Sequence, residues 1–179
     1  MRKTDRQLKN HLILFIGCLI IPGLLLLTLL YIGFSERNLS GLLNEEAFFP
    51  YVHIAAMFML AWLVYLLGIL SRRCESKLKT VPSLFLLALL ISASLWIGWS
   101  STDGFLATVH IMLAYAGFVW MNVLFYAWAR YWTRYVKIYI CLGFTAFMLS
   151  VSLGYVSGIS EVLYGAGCSV LLSLCAVSK

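Results

Sequence analysis

At 179 residues, with 63% hydrophobic and only 11% charged side chains, the chain is too apolar for a soluble domain, which carries about 25% charge. Its net charge of +6 lies in short segments between apolar runs, not along an exposed basic stripe, and that excludes a nucleic-acid role. A bilayer core takes roughly 20 apolar residues per helical span, so the length allows about six spans and leaves no room for a soluble domain.

Met1–Asn10 carries Arg2, Lys3, Arg6 and Lys9, and an apolar run His11–Phe34 follows. The run is too long for a signal peptide and lacks a small-residue cleavage site, so it reads as a retained first helix. Pro22-Gly23 is expected to kink it, because proline removes a backbone donor and crowds the preceding turn. Five further runs are predicted at about Phe48–Leu70, Val81–Ser100, Phe105–Ala129, Val136–Val156 and Ile159–Val177. Each is near spanning length. Helix is the predicted state, because unpaired backbone cannot face lipid and no alternating barrel pattern is present. The expected fold is all-α: one transmembrane domain over residues 1–179, folded as a six-helix bundle.

The segments between the runs set orientation. Arg72, Arg73, Lys77 and Lys79 follow the second run; Arg130, Arg134 and Lys137 follow the fourth; Lys179 ends the chain. Of the 13 lysines and arginines only Arg37 falls on the other side, with Glu36, Glu45, Glu46, Asp103 and Glu161. The positive-inside rule then places both termini in the cytoplasm, and a bacterial inner (plasma) membrane is the expected location. Tyr31, Trp96 and Trp99 near the outer ends, and Tyr126, Trp128, Tyr131 and Trp132 near an inner end, fit aromatic belts at headgroup level.

Val52-His53-Ile54 and Val109-His110-Ile111 open two helices that run in the same direction. A duplicated hairpin is one reading and makes the bundle three hairpins in series. Chance identity in an apolar chain is the other.

Lipid supplies no hydrophobic drive between helices, so contacts favour small residues. Ala146, Ser150 and Gly154 lie four apart on the fifth helix, and Gly165, Ser169 and Ser173 on the sixth. Ala114 and Gly117 share the face of His110 on the fourth. Ordinary packing is the favoured reading, and an oligomer surface is the alternative. The last two helices, joined near Ser157-Gly158, are the natural pair. A bulky residue at Gly165 or Ser169 is expected to disturb it.

Polar residues at membrane depth are functional suspects. His53 and His110 each lie about one turn inside the outer end of a helix, and Glu161 starts the sixth helix from that side. Asp103 and the Glu45-Glu46 pair adjoin them. The candidate ligand or lipid pocket is therefore His53, His110, Asp103, Glu161 and Glu46. Imidazole and carboxylate are zinc ligands, so His53, His110 and Glu161 are also the candidate metal set. The other readings are a headgroup site, a proton relay, and histidines bonded to neighbouring carbonyls. No cofactor is expected. Asn122, the one amide deep in a span, is accounted for by a helix-to-helix hydrogen bond. The five cysteines form no CxxC and fall in no outer loop, so they read as packing residues.

The stretch Phe48–Trp128 resembles the DRAM-like superfamily of six-helix membrane proteins, which includes autophagy modulators, GPI-lipid remodelling proteins and lipid-asymmetry proteins. The likeness rests on Ile54-Ala55-Ala56, Ala61 and Tyr65, and on Val109-His110, Ala114 and Phe118. The first outer loop reads Ser35-Glu36-Arg37-Asn38-Leu39-Ser40 where that family carries Ile-Ser-Asp-Thr-Gly. The resemblance implies lipid handling or modulation of a partner complex, without demonstrated catalysis. The leading expectation is thus a non-enzymatic membrane protein whose partners are membrane lipids, another membrane protein or further copies of itself. The alternatives are an outer-leaflet metal-dependent enzyme using His53 and His110, and a small transporter or channel subunit.

Overall fold

A computed structural model describes residues 3–32, 49–74, 78–97, 104–130, 132–153 and 156–178. These form six helices, each long and apolar enough to cross a membrane. The chain is an all-α integral membrane protein.

The first span has three pieces: an α-helix Lys3–Phe15, a π-helical turn Ile16–Ile20 and an α-helix Ile21–Ile32. It starts well before His11, because the basic tail is itself helical and carries Asp5 in its first turn, where the helix dipole favours an acid. The irregularity expected at Pro22 is the π-turn just before it. Pro22 has no N–H for the carbonyl four residues back, and its ring crowds that carbonyl. The wider turn resolves both, with the Ile21 N–H donating to the Ile16 carbonyl.

The second helix is Phe49–Ser71, the third Thr80–Ile97, the fourth Gly104–Ala129, the fifth Thr133–Leu153 and the sixth Gly158–Val177. Pro50 and Pro82 fall in first turns, where a missing N–H costs nothing. The described basic residues Arg6, Lys9, Arg72, Arg73, Lys79, Arg130, Arg134 and Lys137 flank the helix ends at one end of the bundle. Two clasps knit that basic end. The Cys74 thiol donates to the Trp128 carbonyl at 2.7 Å, and Arg73 Nη1 donates to the Ser178 carbonyl at 3.1 Å.

Of the three hairpins in series, two pair closely. The third and fourth helices lie against each other along their length. Gly117 lets them approach, since a Cβ there would come 3.0 Å from Ile91 Cγ1. At the basic side Trp120 Nε1 donates to the Ser83 carbonyl at 2.9 Å. The fifth and sixth helices also pair, through Ala146, Ser150 and the close seat of Leu142 on Gly167. The first helix, however, packs chiefly on the sixth.

That docking uses the sixth helix's small-residue stripe. Ser169 Oγ donates to the Gly17 carbonyl at 2.9 Å, Ser173 packs on Gly17, and a Cβ on Gly165 would meet Leu25 and Met59. The stripe thus faces the first and second helices, while other residues carry the contact with the fifth. Gly154 lies outside the described residues. With neighbours on three sides, the sixth helix is the axis of the bundle.

The tightest core fills the half nearest the basic end: Leu66, Leu70, Leu124, Phe125, Trp128 and Leu172 are fully enclosed. Trp128, expected at headgroup level, is instead a core residue. Tyr126 is 65% exposed and Trp96 69%, as belt residues are.

Candidate functional site

At the end of the bundle opposite the basic residues, both candidate histidines lie against the third helix. His110 is buried, and its Nδ1 lies 2.9 Å from the Ser94 carbonyl. A carbonyl only accepts, so Nδ1 carries the proton and Nε2 is the basic nitrogen. His53 sets its ring edge-on to Trp96, with centroids 4.8 Å apart and planes at 69°. Ser94 and Trp96 are two residues apart, about 3 Å along the axis, so the two imidazoles share a depth.

Glu161 sits half-buried in the first turn of the sixth helix. That turn is capped by Ser157, which accepts from the Ser160 N–H, and Ser150 bridges to Ser160 at 3.1 Å. Glu46 and Asp103 lie outside the described residues. Among the described residues no three His, Cys, Asp or Glu side chains gather as ligands of one ion. His53, His110 and Glu161, all described, are thus not gathered as a three-ligand set.

A second polar cluster occupies the middle of the bundle. Asn122 of the fourth helix meets Tyr139 of the fifth and Tyr164 of the sixth. The Tyr139 hydroxyl donates to Asn122 Oδ1 at 2.8 Å, and Asn122 Nδ2 donates to the Tyr164 hydroxyl at 3.2 Å. The two hydroxyls bond each other, so Tyr164 donates to Tyr139 and the ring of three bonds closes. The second Asn122 N–H reaches the Phe118 carbonyl at 2.7 Å. Both amide donors are thus used, which is what permits an amide at this depth. Phe125 stacks on Tyr139 at 3.8 Å with planes 9° apart, and Phe118 leans on Tyr164 at 5.0 Å. Aromatic rings bridge the fourth helix to the last two.

The sequence picks out Asn122 but not its partners. The available signal was the need itself: an amide in mid-span requires donors and acceptors from other helices, and Tyr139 and Tyr164 are spanning-helix residues with hydroxyls to offer.

Beside this cluster an open groove of about 490 Å³ runs along the fourth helix, lined by Phe118, Val119, Asn122, Val123, Tyr126 and Ala127. A second groove, on the first helix, is lined by Gly23 and four leucines and offers nothing polar to select a ligand.

All five cysteines are free. At the basic end, burial pushes the Cys74 thiol up while Arg130 and Arg73 pull it back, so near neutral pH it stays a protonated donor to Trp128. Reactive cysteines need the thiolate.

No family model, curated protein or solved structure matches the chain.

Proposed function

We propose that the protein acts on membrane lipids through its helix faces and catalyses no reaction of its own. The observation that carries this is the groove on the fourth helix. It opens on the membrane-facing side, and its one amide is held still by Tyr139 and Tyr164. A surface with mostly apolar walls and a single fixed polar group suits a chain-like amphiphile. The resemblance to lipid-handling six-helix proteins points the same way.

The test is extraction of the protein with its surrounding lipids in styrene–maleic acid particles. The retained lipid should be enriched in one class over the bulk membrane, and Val123→Trp, which fills the groove, should remove the enrichment. A retained profile equal to the bulk membrane sinks the reading.

Both termini are assigned to the cytoplasm, on the strength of the basic residues gathered at one end. In a background without native cysteines, cysteines placed at Asn44 and Thr102 should react with an impermeant maleimide in intact cells. A cysteine at Ser76 should stay unlabelled. Labelling at Ser76 alone reverses the orientation.

One observation favours a second reading, a metal or proton site at the histidines. Binding the Ser94 carbonyl through Nδ1 presents Nε2 as a ligand or base, as in metal sites where a carbonyl orients the ring. On the lipid reading His110 is structural. His110→Ala should then cost about 1–3 kcal/mol by stranding a buried carbonyl, with no metal in the purified wild type. Stoichiometric zinc that disappears in His53→Ala and His110→Ala, with melting unchanged, would favour the second reading instead.

A further inference from the structure

We infer that Gly17, Trp62 and Ser173 form a binding site for one structural water, which ties the first helix to the second and the sixth. The site lies apart from the groove and does not depend on the lipid reading.

Pro22 creates its acceptor. In the π-turn the Ile21 N–H donates to the Ile16 carbonyl, five residues back. The next residue in that register is Pro22, which has no N–H to give the Gly17 carbonyl. Gly17 thus has no backbone donor from four or from five residues on. The Ser169 hydroxyl donates to this carbonyl instead, at 2.9 Å. A carbonyl oxygen has two lone pairs, so a second acceptor position remains.

Two further polar groups meet Gly17. Ser173, one helical turn beyond Ser169, is fully buried, and Trp62 of the second helix is 9% exposed. Neither Ser173 Oγ nor Trp62 Nε1 has a hydrogen-bond partner among the described residues. The position a Cβ on Gly17 would take is 1.8 Å from Ser173 Oγ and 3.1 Å from Trp62 Nε1. The two atoms are therefore at most about 5 Å apart without bonding each other, the kind of separation a water bridges. Hydrocarbon offers neither group a substitute, and an unmet polar group there is costly.

The chemistry of the three groups selects the ligand. An indole N–H only donates, a carbonyl only accepts, and a hydroxyl does both. A cation would meet the indole hydrogen, and an anion would meet the carbonyl oxygen. A neutral molecule that donates and accepts suits all three. It takes the Trp62 Nε1 hydrogen, gives one to the Gly17 carbonyl and shares a third bond with Ser173 Oγ. Three bonds are what a buried water typically makes. Size points the same way. A single carbon on Gly17 would already press on Ser173, so a ligand with a carbon skeleton has no room.

X-ray radiolysis of the protein in detergent, read by mass spectrometry, oxidises side chains that lie beside ordered waters. Trp62 should be oxidised, and Phe125, fully enclosed and apolar, should not. Hydroxyl radicals made from peroxide in the bulk should spare both. Oxidation of Trp62 by both sources would show access from bulk solvent and overturn the site, and so would oxidation by neither. Melting temperatures give a reading independent of labelling. Without a water Ser173 is an orphan hydroxyl, and Ser173→Ala should leave melting unchanged or raise it. With the water, Ser173→Ala and Trp62→Phe should each lower the melting temperature, and the double variant should lose less than the two losses together. Additive losses, or a Ser173→Ala protein that melts no lower than wild type, overturn the inference and leave the lipid reading untouched.

Discussion

Gly17→Leu should lower the stability of the bundle by about 3 kcal/mol, read as a fall in melting temperature in detergent. Gly17 lies in the π-turn against the sixth helix. A Cβ there would come 1.8 Å from Ser173 Oγ, 2.8 Å from Ser173 Cβ and 3.1 Å from Trp62 Nε1. Rotating the Ser173 hydroxyl away relieves the first clash and leaves the second, so the helices must separate. Separation also breaks the bond from Ser169 to the Gly17 carbonyl. Overpacking of this kind costs about 1–3 kcal/mol. An interhelical hydrogen bond in a membrane adds about 0.6 kcal/mol, at most about 1.7.

Gly23→Leu is the control. It sits on the same helix with nothing within 4 Å of its Cβ position, so it should change stability by less than about 0.5 kcal/mol. Ser173→Gly should partly rescue Gly17→Ala, because it removes the two nearest atoms. If Gly17→Leu and Gly23→Leu melt alike, the first helix is not seated on the sixth as described.

Phe125→Ala should cost about 3–5 kcal/mol, the range for emptying a buried phenylalanine site. Phe125 is fully enclosed and stacks on Tyr139, so its loss opens a cavity and frees the tyrosine that holds Asn122. Tyr139→Phe keeps the stack and removes only the hydroxyl. It should cost about 0.6 kcal/mol and at most about 1.7, the average and the maximum for such bonds in a membrane. Phe144→Ala, on the same helix as Tyr139 but 63% exposed toward lipid, should be near neutral. The ordering is the test. If Tyr139→Phe costs as much as Phe125→Ala, the polar ring and not the aromatic packing joins the fourth helix to the last two.

Loss of Phe125 should also reach the groove. Asn122 is positioned from behind by Tyr139, so a loosened tyrosine lets the amide move on the lipid-facing side. Retained lipid should therefore fall in Phe125→Ala at temperatures where the protein is still folded, and stay unchanged in Phe144→Ala.

The sequence by itself determined the spans, their helical state and the gathering of cations at one end. Each follows from a one-dimensional rule. Hydrocarbon thickness demands a certain apolar length, lipid demands that every backbone bond close within the helix, and the cations fall in alternate connections. The pairing of the last two helices was legible too, because a short connection leaves them little choice. The tertiary structure alone decided which neighbour each face meets. Spacing puts Gly165, Ser169 and Ser173 on one stripe, yet only packing turns that stripe to Gly17 and makes the sixth helix the axis. Trp128 has the sequence position of a belt residue and lies in the core. His53 and His110 share a depth that sequence predicts, while the Ser94 carbonyl and the Trp96 ring that hold them belong to a third helix. Asn122 announces a need for partners without naming Tyr139 or Tyr164. The physical reason is common to all four. Six helices of similar apolarity gain nothing from hiding in one another, so their arrangement is chosen by close fit and by a few hydrogen bonds between residues far apart in the chain.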